Sequence, residues 1–135
     1  MVQIIDTSVI IELERRGMTV NELARVAPDQ PVALASITAS ELLVGVHRAN
    51  TRVQKTRRSL FVEKILEVVP VFPFDLAAAR IHAKLGAFLM TKGKRIGAHD
   101  LIIAATALAN NCSVLTGNAR EFNRVPDLDV VVPGW

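Results

Sequence analysis

The sequence predicts a single α/β domain, with a mainly parallel sheet of about five strands lying between two layers of helices. Three observations predict it. Short β-branched runs alternate with longer helical patterns along the 135 residues, and regular βα alternation folds as parallel strands joined by crossover helices. Half of the residues are hydrophobic and 21% are charged, the balance of a chain that packs a core and not of a disordered one. The length suits one core and is short for two.

Taken in order, "VQII" (2–5) reads as the first strand and 7–16 as the helix after it. Helix 20–27 is opened by "TVNE", a capping box on Thr19. "VALA" (32–35) is the second strand, followed by helices 39–49 and 52–67, and "VVPVF" (68–72) is the third strand. Helix 76–91 comes next. Helix 98–110 is apolar almost all round, which predicts deep burial. "SVLT" (113–116) and "VVV" (130–132) close the sheet, and Gly17, Pro28, Pro31 and Gly93 punctuate the joins. No repeat, low-complexity tract or linker divides residues 1–135.

Several function classes are excluded or disfavoured. Apolar runs such as "LIIAATALA" are too short to span a bilayer, and no basic-then-apolar segment precedes the first strand, so no membrane association is expected. Cys112 is the only cysteine, and CxxC, HExxH, GxSxG, Walker and GxGxxG patterns are absent. A reduced, cytoplasmic location is expected. The net charge is only +3, yet Arg48, Arg52, Lys55, Arg57 and Arg58 follow one another with no acid between, and "KGKR" fills 92–95. Such clusters suit a polyanion such as RNA, or simply solvate a helix face.

The candidate chemistry lies at the strand ends. In a parallel sheet, ligands bind beyond the carboxyl ends of the strands. Asp6 follows the first strand, Glu41 the second and Glu121 the fourth, while Asp100 opens the apolar helix 98–110. Each has a plain alternative. Asp6 suits an N-cap, Thr38-x-x-Glu41 and Asn118-x-x-Glu121 have capping-box form, and Asp100 faces a helix dipole. Together, four carboxylates on one edge repel one another unless a divalent cation neutralises them, and an all-oxygen set with no His or Cys suits Mg²⁺ or Mn²⁺. Asp75 also follows a strand and is either a fifth member or a cap.

Beyond these residues, "IIDTSVII", "ITASELLVGVHRA", "IGAHDLIIAATALA" and "VLTGNAREFNRVPDLDVV" resemble the successive motifs of PIN-domain ribonucleases of the VapC toxin type, nearly end to end from Ile5 to Trp135. The resemblance implies a PIN-like α/β/α fold in which Asp6, Glu41 and Asp100 are the core metal-binding, catalytic acids, with Mg²⁺ or Mn²⁺ as cofactor. It puts Glu121 in the fourth acidic place, often Asp in such domains, where the extra methylene favours ligation through water. Thr116 and Asn118 match a polar TxN element, Thr7 or Ser8 matches the hydroxyl beside the first acid, and Asp75 becomes the cap. The activity implied is endonucleolytic hydrolysis of RNA by a metal-activated water. Arg48, Arg52 and Lys55, directly after the Glu41 helix, are candidates to hold phosphates. The implied partners are a second copy of the chain and a VapB-type antitoxin whose tail, often with an arginine, occupies the acidic cleft.

Other side chains are read as supporting. His99 points away from the cleft, to the surface or to a place behind the acids. His47 and His82 are structural or exposed, Cys112 is a small core residue, Phe122 anchors the Glu121 segment and Trp135 packs back on the fold. Apolar helices before residue 70 supply either a dimer face or core. Two rivals stand beside the nuclease. One is a PIN-like domain that binds RNA or protein without cutting. The other is a phospho-acceptor signalling domain, which calls for an acid pair after the first strand where "DTS" offers one.

Overall fold

A computed structural model describes residues 1–27 and 30–135; the expected punctuation at Pro28 lies outside the described residues. The chain runs β1 (Gln3–Ile5), α1 (Thr7–Arg15), a 3₁₀ turn (Val20–Glu22), α2 (Leu23–Val26), β2 (Val32–Ala35), α3 (Ser36–His47), α4 (Arg52–Val68), β3 (Val71–Phe72), α5 (Leu76–Thr91), α6 (Ala98–Ala109), β4 (Ser113–Leu115), α7 (Ala119–Phe122) and β5 (Val130–Val131). All strand pairs are parallel, in the order β3-β2-β1-β4-β5. This is the three-layer α/β/α architecture expected from the βα alternation.

Strand periodicity assigns the two cores. Successive strand residues face opposite sides. Ile5, Leu34 and Leu115 therefore join one cluster with Val9, Ile10 and Leu13 of α1, Leu42 and Val46 of α3, and Val62 and Ile65 of α4. Ile4, Ala33, Ala35 and Val114 face the other way, against Leu85 of α5 and Ile103, Ala104, Ala105 and Ala107 of α6. The two alanines of β2 let the alanine-rich face of α6 approach the sheet closely, which is why helix 98–110 reads as apolar all round and is buried across Ile103–Ala107.

Some local readings change. The third strand is shorter than "VVPVF": Val68 ends α4, and only Val71 and Phe72 pair with Leu34 and Ala35. Pro70 lacks an N–H and separates the two, its carbonyl accepting from Leu34 N–H at 2.8 Å. The expected helix 20–27 is a 3₁₀ turn followed by one α-turn, opened by the capping box in which Thr19 N–H donates to Glu22 Oε1 at 3.1 Å. Thr38 and Glu41 form no capping box, because α3 starts at Ser36 and both lie inside it. Asp75 is a true cap of α5, accepting from Ala78 N–H at 2.9 Å.

Candidate active site

The strand order creates the site. β1 lies between β2 and β4, and the crossovers reaching those neighbours pass on opposite faces of the sheet. The chain parts at the carboxyl end of β1 and leaves a crevice there. Because α6 precedes a parallel strand, its amino end lies at this same edge.

Asp6 sits at the end of β1, only 4% exposed. It occupies the N-cap position of α1, yet its side chain makes no capping bond. Its Oδ2 instead accepts from Ser8 Oγ and from Thr116 Oγ1, each at 2.7 Å. Thr116, fully buried after β4, also accepts from Asn118 N–H at 2.8 Å. A helix cap would spend the carboxylate on the backbone; here two hydroxyls aim it across the sheet edge.

Glu41 comes from the second turn of α3. Thr7 Oγ1 donates to its Oε1 at 2.7 Å, and the Thr7 and Thr38 hydroxyls lie 3.1 Å apart. A hydroxyl has one proton, so Thr38 donates to Thr7 and Thr7 to the carboxylate. His99 Nδ1 stands 3.0 Å from the other oxygen, Oε2. His99 was expected to point away from the cleft; instead its exposed side chain turns back onto Glu41 and supports that acid, because α6 packs beside α3. Glu121, on α7, is pinned at both oxygens: Gly97 N–H donates to Oε1 at 2.5 Å and Asn118 Nδ2 to Oε2 at 2.7 Å. These bonds, with Arg124 nearby, hold its carboxyl below the usual range. Phe122, completely buried, anchors the short helix.

Asp100 behaves differently. Burial first, then the charges of Asp6, Glu121 and Glu41, raise its pKa from 3.8 to about 6, opposed only by His99. All four sequence-predicted acids thus share one edge and one electrostatic field. A methyl placed on Gly97 would meet Glu121 Oε1 at 3.5 Å and Asp100 Oδ2 at 3.6 Å, so those two carboxylates flank the same backbone step. As the side chains stand, no three His, Cys, Asp or Glu among the described residues form a group that could hold a metal ion. Asp6, Glu41 and Glu121 are turned onto hydroxyls, an imidazole and amides. The donor set still fits a hard divalent cation: it is all oxygen, and its mutual repulsion is the penalty such an ion relieves.

The basic residues divide. Lys92, Lys94 and Arg95 are exposed on the loop entering Gly97 and α6, which is tied to the Glu121 segment by Arg124 Nη1 donating to the Arg95 carbonyl. Arg48, Arg52 and Lys55 are exposed along the α3–α4 hairpin. Arg58, half-buried, donates to the Gly45 carbonyl at 3.1 Å, one turn beyond Glu41. Sequence reading missed Thr38 and Gly97. Neither has a local signal, since their roles depend on partners 31 and 24 residues away.

Comparison with known proteins follows the same outline. Residues 4–128 match the PIN domain family. Ribonuclease VapC of Rickettsia bellii is 34% identical over 128 residues, which cover 95% of this chain and 93% of that protein. Among solved structures, VapBC2 from Rickettsia felis bound to a promoter DNA fragment superposes with a TM-score of 0.86 at 26% identity, covering 98% of both chains. VapBC-1 from nontypeable Haemophilus influenzae superposes at 0.81 with 26% identity and 96% of each chain covered.

Proposed function

The chain belongs to the PIN domain family, and from that premise we propose that it is a VapC-type ribonuclease toxin: a metal-dependent endoribonuclease held in check by a VapB-type antitoxin. The observation that carries the reading is the set of four carboxylates delivered by β1, α3, α6 and α7 to one sheet edge, where burial and then the charges of the other three raise the pKa of Asp100 from 3.8 to about 6. A structural cap gains nothing from that repulsion; a site for a divalent cation does.

Asp6, Glu41 and Asp100 would hold Mg²⁺ or Mn²⁺, with Glu121 acting through water because both of its oxygens already accept hydrogen bonds. Such an ion supplies a bound water of lowered pKa and neutralises charge on the phosphate at the cut. The chain's own residues do the rest. Ser8 and Thr116 fix Asp6, Thr7 and His99 fix Glu41, and Asn118 or a carboxylate orients the attacking water. No protein nucleophile is needed. Arg48, Arg52 and Lys55, together with the Lys92–Arg95 loop, hold RNA phosphates on either side of the acids.

The antitoxin reading rests on the same charge. An arginine from an antitoxin tail would find carboxylates for bidentate pairing. Beside Glu41, a groove of about 180 Å³ lined by Ile10, Leu42, Phe61 and Val62 offers apolar footing for the segment that carries it. A homodimer and a cytoplasmic location accompany the proposal; no helix among the described residues is long and apolar enough to cross a membrane.

The test is cleavage of an RNA panel, transfer RNAs included, by purified antitoxin-free protein with Mg²⁺, with Mn²⁺ and with chelator, beside a folded Asp100→Asn variant. Metal-dependent cutting lost in the variant is expected. Metal binding without cutting of any RNA would favour a non-cutting binder, and absence of metal binding would reduce the acids to electrostatic ornaments of helix ends.

A further inference from the structure

A groove of about 400 Å³ runs along α1 from the acids to the end of the chain. At one end stand Ser8 and Asn118, which hold Asp6 and Glu121. At the other stands Trp135, the single tryptophan of the sequence. We propose that Trp135 is a stacking platform for an unpaired base of the RNA, next to the nucleotide being cut; this rests on the nuclease reading above.

The ring is built for such a role. It is 42% exposed, and it borders both this groove and a neighbouring one that Arg16 lines. The Arg16 guanidinium lies 4.5 Å from its centroid, a cation–π contact that orders it, and Gly134 N–H donates to the Val26 carbonyl beside it at 3.4 Å. Single-stranded RNA is recognised by stacking of splayed bases on aromatic rings and guanidinium planes, and this ring carries both. Ser8 and Asn118 add a hydroxyl and an amide that can meet a base edge or a ribose.

Charge permits the approach of a polyanion. Glu12 lines the groove, but both of its oxygens are engaged, by Arg15 Nη1 at 3.0 Å and Arg16 Nε at 3.1 Å, so two guanidiniums cover its charge. Arg16 lies eight residues beyond Ser8, about 12 Å along a helix axis. The platform therefore holds a neighbouring base and leaves the scissile phosphate to the acids.

Because there is one tryptophan, its emission reports the site directly. Full-length protein in chelator is titrated with a short single-stranded oligoadenylate and with a duplex RNA of equal length. Saturable change of emission by the single strand, and none by the duplex, is expected. Trp135→Ala should weaken single-strand binding by about tenfold and Trp135→Phe by far less, as loss and retention of one stacked base predict; thermal melts confirm that both variants fold. In cleavage, the Ala variant should raise KM and spare kcat. Unchanged emission, or equal binding by wild type and Trp135→Ala, overturns the proposal even if the protein cuts RNA with metal. Emission that responds to an antitoxin peptide and not to RNA also overturns it. A stacking response in a protein that cuts no RNA supports the platform and rejects the nuclease reading instead.

Discussion

At the scale of single residues, the acids separate by what their oxygens touch. Asp75 caps α5 through Ala78 N–H, whereas Asp6, at the equivalent place before α1, makes no cap and is aimed by Ser8 and Thr116. Asp75→Ala should therefore cost about 1 kcal/mol of stability and leave cleavage intact, measured by thermal melting and a cleavage assay. Asp6→Asn should keep most of the stability and lose cleavage. Asp100 gives a pH signature. Its pKa is raised from 3.8 to about 6, so the folded state holds that proton more tightly than the unfolded chain does. Below about 3.8 both states are protonated and nothing is lost. Stability then falls as pH rises to about 6 and the penalty is complete above it. The shift corresponds to at most about 3 kcal/mol, cut by solvent at this half-exposed group to on the order of 1 kcal/mol. Without divalent cation, Asp100→Asn should melt higher than wild type at neutral pH and equal to it near pH 3.5. A variant less stable than wild type at neutral pH would contradict the repulsion.

Between elements, the site is held by bonds joining pieces far apart in sequence. Thr116, after β4, reaches Asp6, after β1, across 110 residues. Thr116→Val keeps the shape, removes that donor and also takes the acceptor from Asn118 N–H. The expected outcome is a loss of about 1–2 kcal/mol in denaturant unfolding and a weaker response of stability to Mg²⁺. A variant equal to wild type in both would mean that Asp6 needs no such support. The helices were largely legible beforehand: 76–91 was readable to the residue, because Asp75 caps one end and "KG" closes the other. The short α7 was not, since four residues carry too little periodicity, and it stands through the burial of Phe122.

For the whole molecule, charge and cation binding dominate. The acids share one sheet edge, with Lys92, Lys94 and Arg95 exposed on the loop entering α6 and Arg48, Arg52 and Lys55 exposed on the α3–α4 hairpin. Replacing Lys92, Lys94 and Arg95 by alanine should lower the dependence of RNA affinity on log salt by up to about 2–3 and leave metal binding unchanged. An unchanged slope would place the RNA elsewhere. A saturating divalent cation that binds only the folded state should raise the melting midpoint, by about 2.7 kcal/mol of stability at a hundredfold excess over Kd. Asp100→Asn should abolish that rise.

The sequence by itself determined the α/β class, the order of the elements and the four acids, because hydrophobic periodicity and the rule of strand carboxyl ends are local or topological statements. It also separated Asp75 from the rest once the motifs were recognised. Only the tertiary structure decided which faces of the sheet meet which helices, that Asp6 is no cap, that Thr38 and Glu41 form no box, and that His99 and Gly97 serve Glu41 and Glu121. Those contacts span 24 to 58 residues. A hydrogen bond between groups so far apart leaves no periodic trace, since the chain meets itself there only after the sheet has set its register.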